Sequence, residues 1–177
     1  MHPPKFVLHP LLLLLSLLAT GISTRAQTNP VNAIEANIIY HFTKYINWSN
    51  KDQPGDFVIG VIGNTPTYDE MVRLMTQRTV GPKRIMIKKT QPGPAAANCQ
   101  ILFIADDARG CLREVAAETA SSPTLIVCEG SGLARKGAAI DLVLSDEHLK
   151  LEINKGNIEH HKLQIASELL ELGTNVN

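Results

Sequence analysis

Charge is scarce and evenly divided: 17 Lys and Arg meet 17 Asp and Glu in 177 residues, for a formal net charge of zero. A nucleic-acid binder draws much of its affinity from an excess of cations set against phosphates, so this balance excludes that class of partner. Cysteine is limited to Cys99, Cys111 and Cys128. No two of these have the short spacing of tetrahedral zinc ligands, so no metal site is expected. Beyond residue 26 no apolar run approaches the roughly 20 residues that cross a bilayer as a helix, and no internal repeat or low-complexity tract is present. The sequence also lacks a Walker or dinucleotide glycine spacing, a Gly-x-Ser-x-Gly elbow and a His-Glu-x-x-His pair. The chain is therefore expected to have no enzymatic activity and to need no cofactor.

The first 26 residues have the order of an export signal. Lys5 precedes an apolar run from Leu11 to Leu18, and small or polar residues lead on to Thr24-Arg25-Ala26. That arrangement predicts cleavage after Ala26, a mature chain from Gln27, delivery to the periplasm and no membrane insertion afterwards. With no cysteine after the apolar run, no lipid anchor is expected. Removal of Lys5 and Arg25 leaves 15 basic against 17 acidic residues. Residues 27–177 are the size of one domain with a single well-filled core.

Within that domain the hydrophobic pattern alternates between two periods. Asn29-Pro30 opens a helix predicted to run to about Trp48, with Val31, Ile34, Ile38, Ile39, Phe42, Tyr45 and Ile46 on one face. Continuous apolar runs predict buried strands at Phe57–Ile62, Gln100–Ala105 and Thr124–Cys128, and a further strand is predicted at Arg84–Lys88. Helical patterns lie between them at Thr67–Arg78 and Ala108–Ala120. Strands separated by helices imply parallel pairing. The last third departs from this rhythm. Ala139–Leu144 and His148–Ile153, joined by the short polar link Ser145-Asp146-Glu147, read as an antiparallel hairpin, and a helix is predicted from about His160 to Leu172. The expected fold is a three-layer α/β sandwich with a mostly parallel sheet and a C-terminal antiparallel hairpin.

Several residues are not explained by this core. On the first helix Tyr40 points away from the apolar face, and His41 and Trp48 lie at its margin, so these three are candidates for contact with a partner protein. In Leu149–Asn154 the apolar side chains share one face, leaving Lys150, Glu152 and Asn154 on the other. Glu152 is then either hydrogen-bonded within a covered sheet or solvated on an edge strand. Open parallel sheets bind ligands beyond the carboxyl ends of their strands, where this chain carries Gly63-Asn64 and Gly130-Ser131. Those four residues mark an alternative function as a small-ligand sensor, although tight turns at strand ends require glycine in any case. In a doubly wound sheet Cys111 and Cys128 both fall near strand ends, which makes them the candidate disulfide pair.

Five segments resemble the YfiR family. Asn32–Trp48 is similar to its opening aromatic helix, Phe57–Gly63 to its first strand, and Cys99–Ile104 to its Cys-x-Ile-Leu-Phe-Ile strand. Leu151–Asn154 resembles a Phe-Glu-Ile-Asn signature, and Ile165–Leu170 a closing Ser-x-x-Leu-Leu segment. The resemblance implies a non-catalytic periplasmic regulator that binds the periplasmic region of an inner-membrane diguanylate cyclase or sensor kinase. In the cyclase case it implies repression of cyclic di-GMP synthesis and hence of biofilm growth. A homodimer is compatible with it. Among this chain's residues it directs attention to Tyr40, His41, Trp48, Glu152 and Asn154.

Overall fold

The computed structural model describes Met1 and residues 29–49, 54–146 and 148–177. Apart from Met1, the predicted export segment lies outside the described residues, as do most of the loop after Ser49 and Glu147 of the hairpin link. Helix α1 spans Pro30–Tyr45. Asn29 caps it, its side chain accepting from the Val31 amide at 3.1 Å, and Pro30 supplies the fixed φ favoured at the first helical position.

The helix stops three residues before the predicted end. Ile46–Trp48 forms a short strand, β1, that pairs antiparallel with β9, Leu163–Ile165. An apolar residue on each side of Asn47 satisfies a period of two as well as a helical period, and the long-range pairing decides between them. The buried face of α1 is also rotated from the expected one. Glu35, Ala36, Ile39 and Phe42 turn inward, while Ile34 is 49% exposed. Spacing defines the width of an apolar stripe, but packing decides where within it the core lies.

Five parallel strands form the centre of the sheet: β2 (Phe57–Ile62), β4 (Lys83–Lys89), β5 (Ile101–Ile104), β6 (Leu125–Glu129) and β7 (Ile140–Ser145). Their spatial order is β4-β2-β5-β6-β7. The chain thus leaves β2 toward one side of the sheet and later returns to its other side at β5. Antiparallel β8, His148–Ile153, continues the sheet beside β7 and completes the predicted hairpin, with Asp141 directly opposite Glu152. Two two-residue strands end the sheet: β3 (Thr79–Val80) beside β4 and β10 (Thr174–Asn175) beside β8. The hairpin is therefore not the outermost element.

Both faces of the central strands are covered, which is why their sequences read as unbroken apolar runs. Ile59, Val61, Ile101, Phe103, Val127 and Ile140 pack in one cluster with α1 and with Met71 and Met75 of α2, Thr67–Met75. On the opposite face Ile62, Leu102, Ile104, Ile126 and Cys128 meet α3, Leu112–Thr119, and the 3-10 turn Pro94–Asn98. Each fully buried aliphatic side chain contributes about 1.5–3 kcal/mol relative to exposure, so the two clusters hold a three-layer sandwich together.

An unpredicted helix, α4 (Lys155–His160), ends where the terminal helix is expected to begin, and β9 and α5 (Ser167–Leu172) take the place of that helix. Lys162 adopts a left-handed φ of 58°, which ends any continuous helix there. The neighbouring His161 is buried rather than solvated, with Nδ1 at 3.2 Å from the Ser122 carbonyl, and burial lowers its pKa. Among the described residues no helix is long and apolar enough to cross a membrane.

Candidate functional site

The carboxyl ends of the parallel strands are where a sheet of this order places its chemistry. A crevice of about 640 Å³ opens there between the ends of β2 and β5, lined in part by Gly63, Asn64, Lys89, Asp107 and Cys111. Gly63 has a φ of +91°, and a Cβ at this position would collide with the Asp107 carboxylate, so only glycine fits. That carboxylate accepts from the Asn64 backbone amide at 3.0 Å and from its Nδ2 at 3.2 Å. Lys89 Nζ donates to the Gly63 carbonyl at 2.8 Å and lies 4.7 Å from the centre of the Tyr68 ring. The polar groups of the crevice thus tie its own loops together. Of the four candidate ligand residues, Gly63 and Asn64 line this space. Gly130 and Ser131 follow β6 and do not; Gly130 packs against the Arg109 side chain instead.

A second polar cluster was not anticipated. Glu35 lies within the apolar stripe of α1 and faces the end of the sheet. Its carboxyl accepts from Thr67 Oγ1 at 2.6 Å and lies near the Glu129 carboxylate. Glu129 in turn accepts from Thr65 Oγ1 at 2.9 Å and from the Asp106 amide at 2.8 Å. Burial, opposed by the Thr67 hydrogen bond and reinforced by the nearby Glu129 charge, raises the Glu35 pKa to about 7. An acid at a position the apolar period assigns to the core was the signal available in the sequence.

The hairpin candidates have structural partners. Asp141 is fully buried, and its Oδ2 accepts from the amides of Leu133 and Ala134 at 2.7 and 2.8 Å. Its Oδ1 has no hydrogen-bond partner among the described residues, and burial raises its pKa to about 6 against those two amides. Glu152 accepts from the Gly132 amide at 3.0 Å, which settles in favour of the hydrogen-bonded alternative. Asn154 caps α4 by accepting from the Asn157 amide at 3.0 Å, and its Nδ2 donates to the Ala134 carbonyl at 3.0 Å. Asp141, Glu152 and Asn154 together hold the loop between β6 and β7.

The aromatic candidates divide. Trp48 is 4% exposed; its Nε1 donates to the Gln100 carbonyl at 3.1 Å and its ring meets Phe57 edge to face. The expected marginal position on a helix is thus corrected to an inward-facing one on a strand. Tyr40 is half-buried and packs against the main core cluster, which corrects the expected position pointing away from the core; only part of its ring stays exposed. The Arg78 guanidinium lies 4.3 Å from the centre of its ring, Lys44 Nζ lies 5.3 Å away, and His41 stacks edge to face at 6.1 Å. Such cation–ring contacts are worth roughly 0.5–1 kcal/mol at exposed sites, enough to orient the patch without burying it.

The pairing expected of Cys111 and Cys128 is not made, and all three cysteines are free. Cys128 is fully buried among apolar side chains, which pushes its thiol pKa far up, while Cys111 packs against the margin of the same cluster. Burial raises the Cys99 and Cys111 pKa values too, so none of the three is an activated nucleophile.

A family model described as YfiR/HmsC-like matches residues 32–174. No curated protein matches the sequence significantly.

Proposed function

Because the chain belongs to the YfiR/HmsC-like family over residues 32–174, we propose that it is a periplasmic protein-binding regulator that holds an inner-membrane diguanylate cyclase inactive. On this reading residues 1–26 direct export and are removed, and the domain from Gln27 acts by contact rather than by catalysis. Family membership is the observation that carries the proposal. The disposition of polar groups supports it: the acids at the strand ends are occupied with the protein's own loops. Tyr40, His41, Lys44 and Arg78 instead form an accessible cationic and aromatic patch, and aromatic and arginine side chains dominate binding energy at interfaces.

The crevice at Gly63 and Asn64 favours a second reading, a small-ligand sensor, because it lies where the strand order reverses direction. The two readings differ in where substitutions act. Tyr40→Ala should weaken binding to the periplasmic portion of the cyclase by roughly 30-fold, the equivalent of about 2 kcal/mol for a desolvated aromatic anchor. Surface plasmon resonance with the purified mature chain measures this, and circular dichroism at the same temperature checks that the variant is folded. Unchanged affinity for Tyr40→Ala would remove the first helix from the interface.

A further inference from the structure

The sheet ends on one side in an incomplete strand. β3 pairs only Thr79 with Arg84 and Val80 with Lys83, so from Ile85 onward β4 has no neighbouring strand on its outer side among the described residues. Hydrogen bonds show which peptide groups face outward. The Thr90 amide donates inward to the Val61 carbonyl on β2, whereas the Ile85 amide donates outward to the Arg78 carbonyl. Because a strand's peptide groups alternate in direction, Ile87 and Lys89 direct their N–H and C=O groups outward as Ile85 does.

Beside this edge runs a groove of about 360 Å³. One wall is Tyr68, Val72 and Thr76, spaced four residues apart along and just beyond α2; the other is Ile85, Met86 and Ile87. Val72 is 36% and Met86 46% exposed, so the groove is apolar at its centre. Its ends are cationic: Lys83 and Arg84 precede the apolar triplet, and Lys88 and Lys89 follow it. Among the described residues Arg84 alone of these has an acidic partner, Asp56 at 3.4 Å, and that Arg side chain is 83% exposed, while the Lys89 ammonium already meets the Gly63 carbonyl.

We propose that the outer edge of β4, with the groove beside α2, is a strand-addition site for an extended segment of a partner protein that carries apolar residues between acidic ones. The backbone of such a segment would complete the ladder at Ile87 and Lys89, its alternate side chains would enter the groove, and its acids would meet the two cationic pairs. A second copy of this chain is the poorer occupant. Antiparallel pairing of two β4 edges would set Lys83 and Arg84 against Lys88 and Lys89, and like charges facing one another across strands are destabilising. The same cations blunt the edge against self-association, as edge lysines do in other sheets. The inference deepens the proposed function by naming the partner's form, and it rests on that reading only for the identity of the partner.

Amide hydrogen exchange on the mature chain tests the site with two ligands. One is a synthetic peptide, Asp-Glu-Val-Thr-Ile-Thr-Val-Asp-Glu with blocked ends; the other is the periplasmic portion of the cyclase. The peptide should slow exchange of the Ile87 and Lys89 amides by about tenfold or more, since neither has a strand partner on its outer side among the described residues. Val72→Arg, at an exposed helix position that places a cation in the groove, should abolish that protection without lowering the melting temperature. Failure of the peptide to slow these two amides, or protection that Val72→Arg leaves intact, would overturn the site. Protection in the free chain that grows with protein concentration would overturn it in favour of a second copy. Protection by the peptide with no response to the cyclase portion upholds the edge site and overturns the proposed partner instead.

Discussion

Trp48→Ala should destabilise the protein by about 3–5 kcal/mol, the usual consequence of truncating a buried aromatic side chain. For a domain of this size that lowers the melting temperature by roughly 6–20 °C. The indole fills the junction between the β1–β9 ribbon and the start of the main sheet. Its ring centre is 5.0 Å from that of Phe57 at an interplanar angle of 89°, and its N–H reaches the Gln100 carbonyl. The Gln100 side chain accepts in turn from the Val58 amide at 2.7 Å, so a single residue joins Trp48 to β2. Truncation opens a cavity and removes the anchor of the short ribbon at once. Thermal melts of wild type and variant decide the matter. A variant that melts like wild type but no longer binds its partner would restore Trp48 to the surface role its place in the sequence suggests.

Stability should fall as pH rises from about 4.5 to about 7, and Glu35→Gln should remove much of that fall. The Glu35 pKa is raised from 4.5 to about 7 in the folded protein. Between those values the unfolded chain has released a proton that the native state still holds, so raising the pH favours unfolding. Below the window both states are protonated and the full stability is present; above it both are ionised and the loss levels off. The size of the effect is on the order of 3 kcal/mol. Asp141, raised from 3.8 to about 6, acts in the same direction. His161, with a pKa lowered by burial, acts in the opposite one, since below its ordinary value the unfolded chain takes up a proton that the native state does not, so stability falls as pH falls. The difference between Glu35→Gln and wild type isolates one group from the other two. Urea titrations at pH 5 and pH 8 should show the variant gaining on wild type at the higher pH. Equal free-energy differences at both values would mean that Glu35 is not held protonated.

Local pattern made the central sheet legible. Phe57–Ile62 and His148–Ile153 are strands at the predicted residues, because a short buried strand and a hairpin flanked by turn residues leave strong local traces. Elements decided by distant contacts left none. Ile46–Trp48 continues the helical pattern of α1 and becomes a strand only because Leu163–Ile165 lies beside it. Thr79–Val80 is too short for any period to register. The candidate residues followed the same division. The need for glycine at Gly63 and the unusual polar face of Glu152 and Asn154 were visible, but the task this acid and this amide perform, holding the loop around Leu133, depends on a neighbouring connection. Glu35, Asp141 and Arg78 escaped notice because burial of the first two and the ring contact of the third exist only once α1, α2 and the sheet have come together.

The central claim is that this chain restrains a membrane-bound cyclase from the periplasm. Cyclic di-GMP measured by mass spectrometry in the native bacterium, with the gene for this chain deleted and then restored, tests it most directly. Deletion should raise the nucleotide severalfold, and restoring the exported chain should return it to the wild-type level. Restoring Tyr40→Ala at equal periplasmic abundance should fall short of that return. Cyclic di-GMP that stays at the wild-type level after deletion would contradict the account.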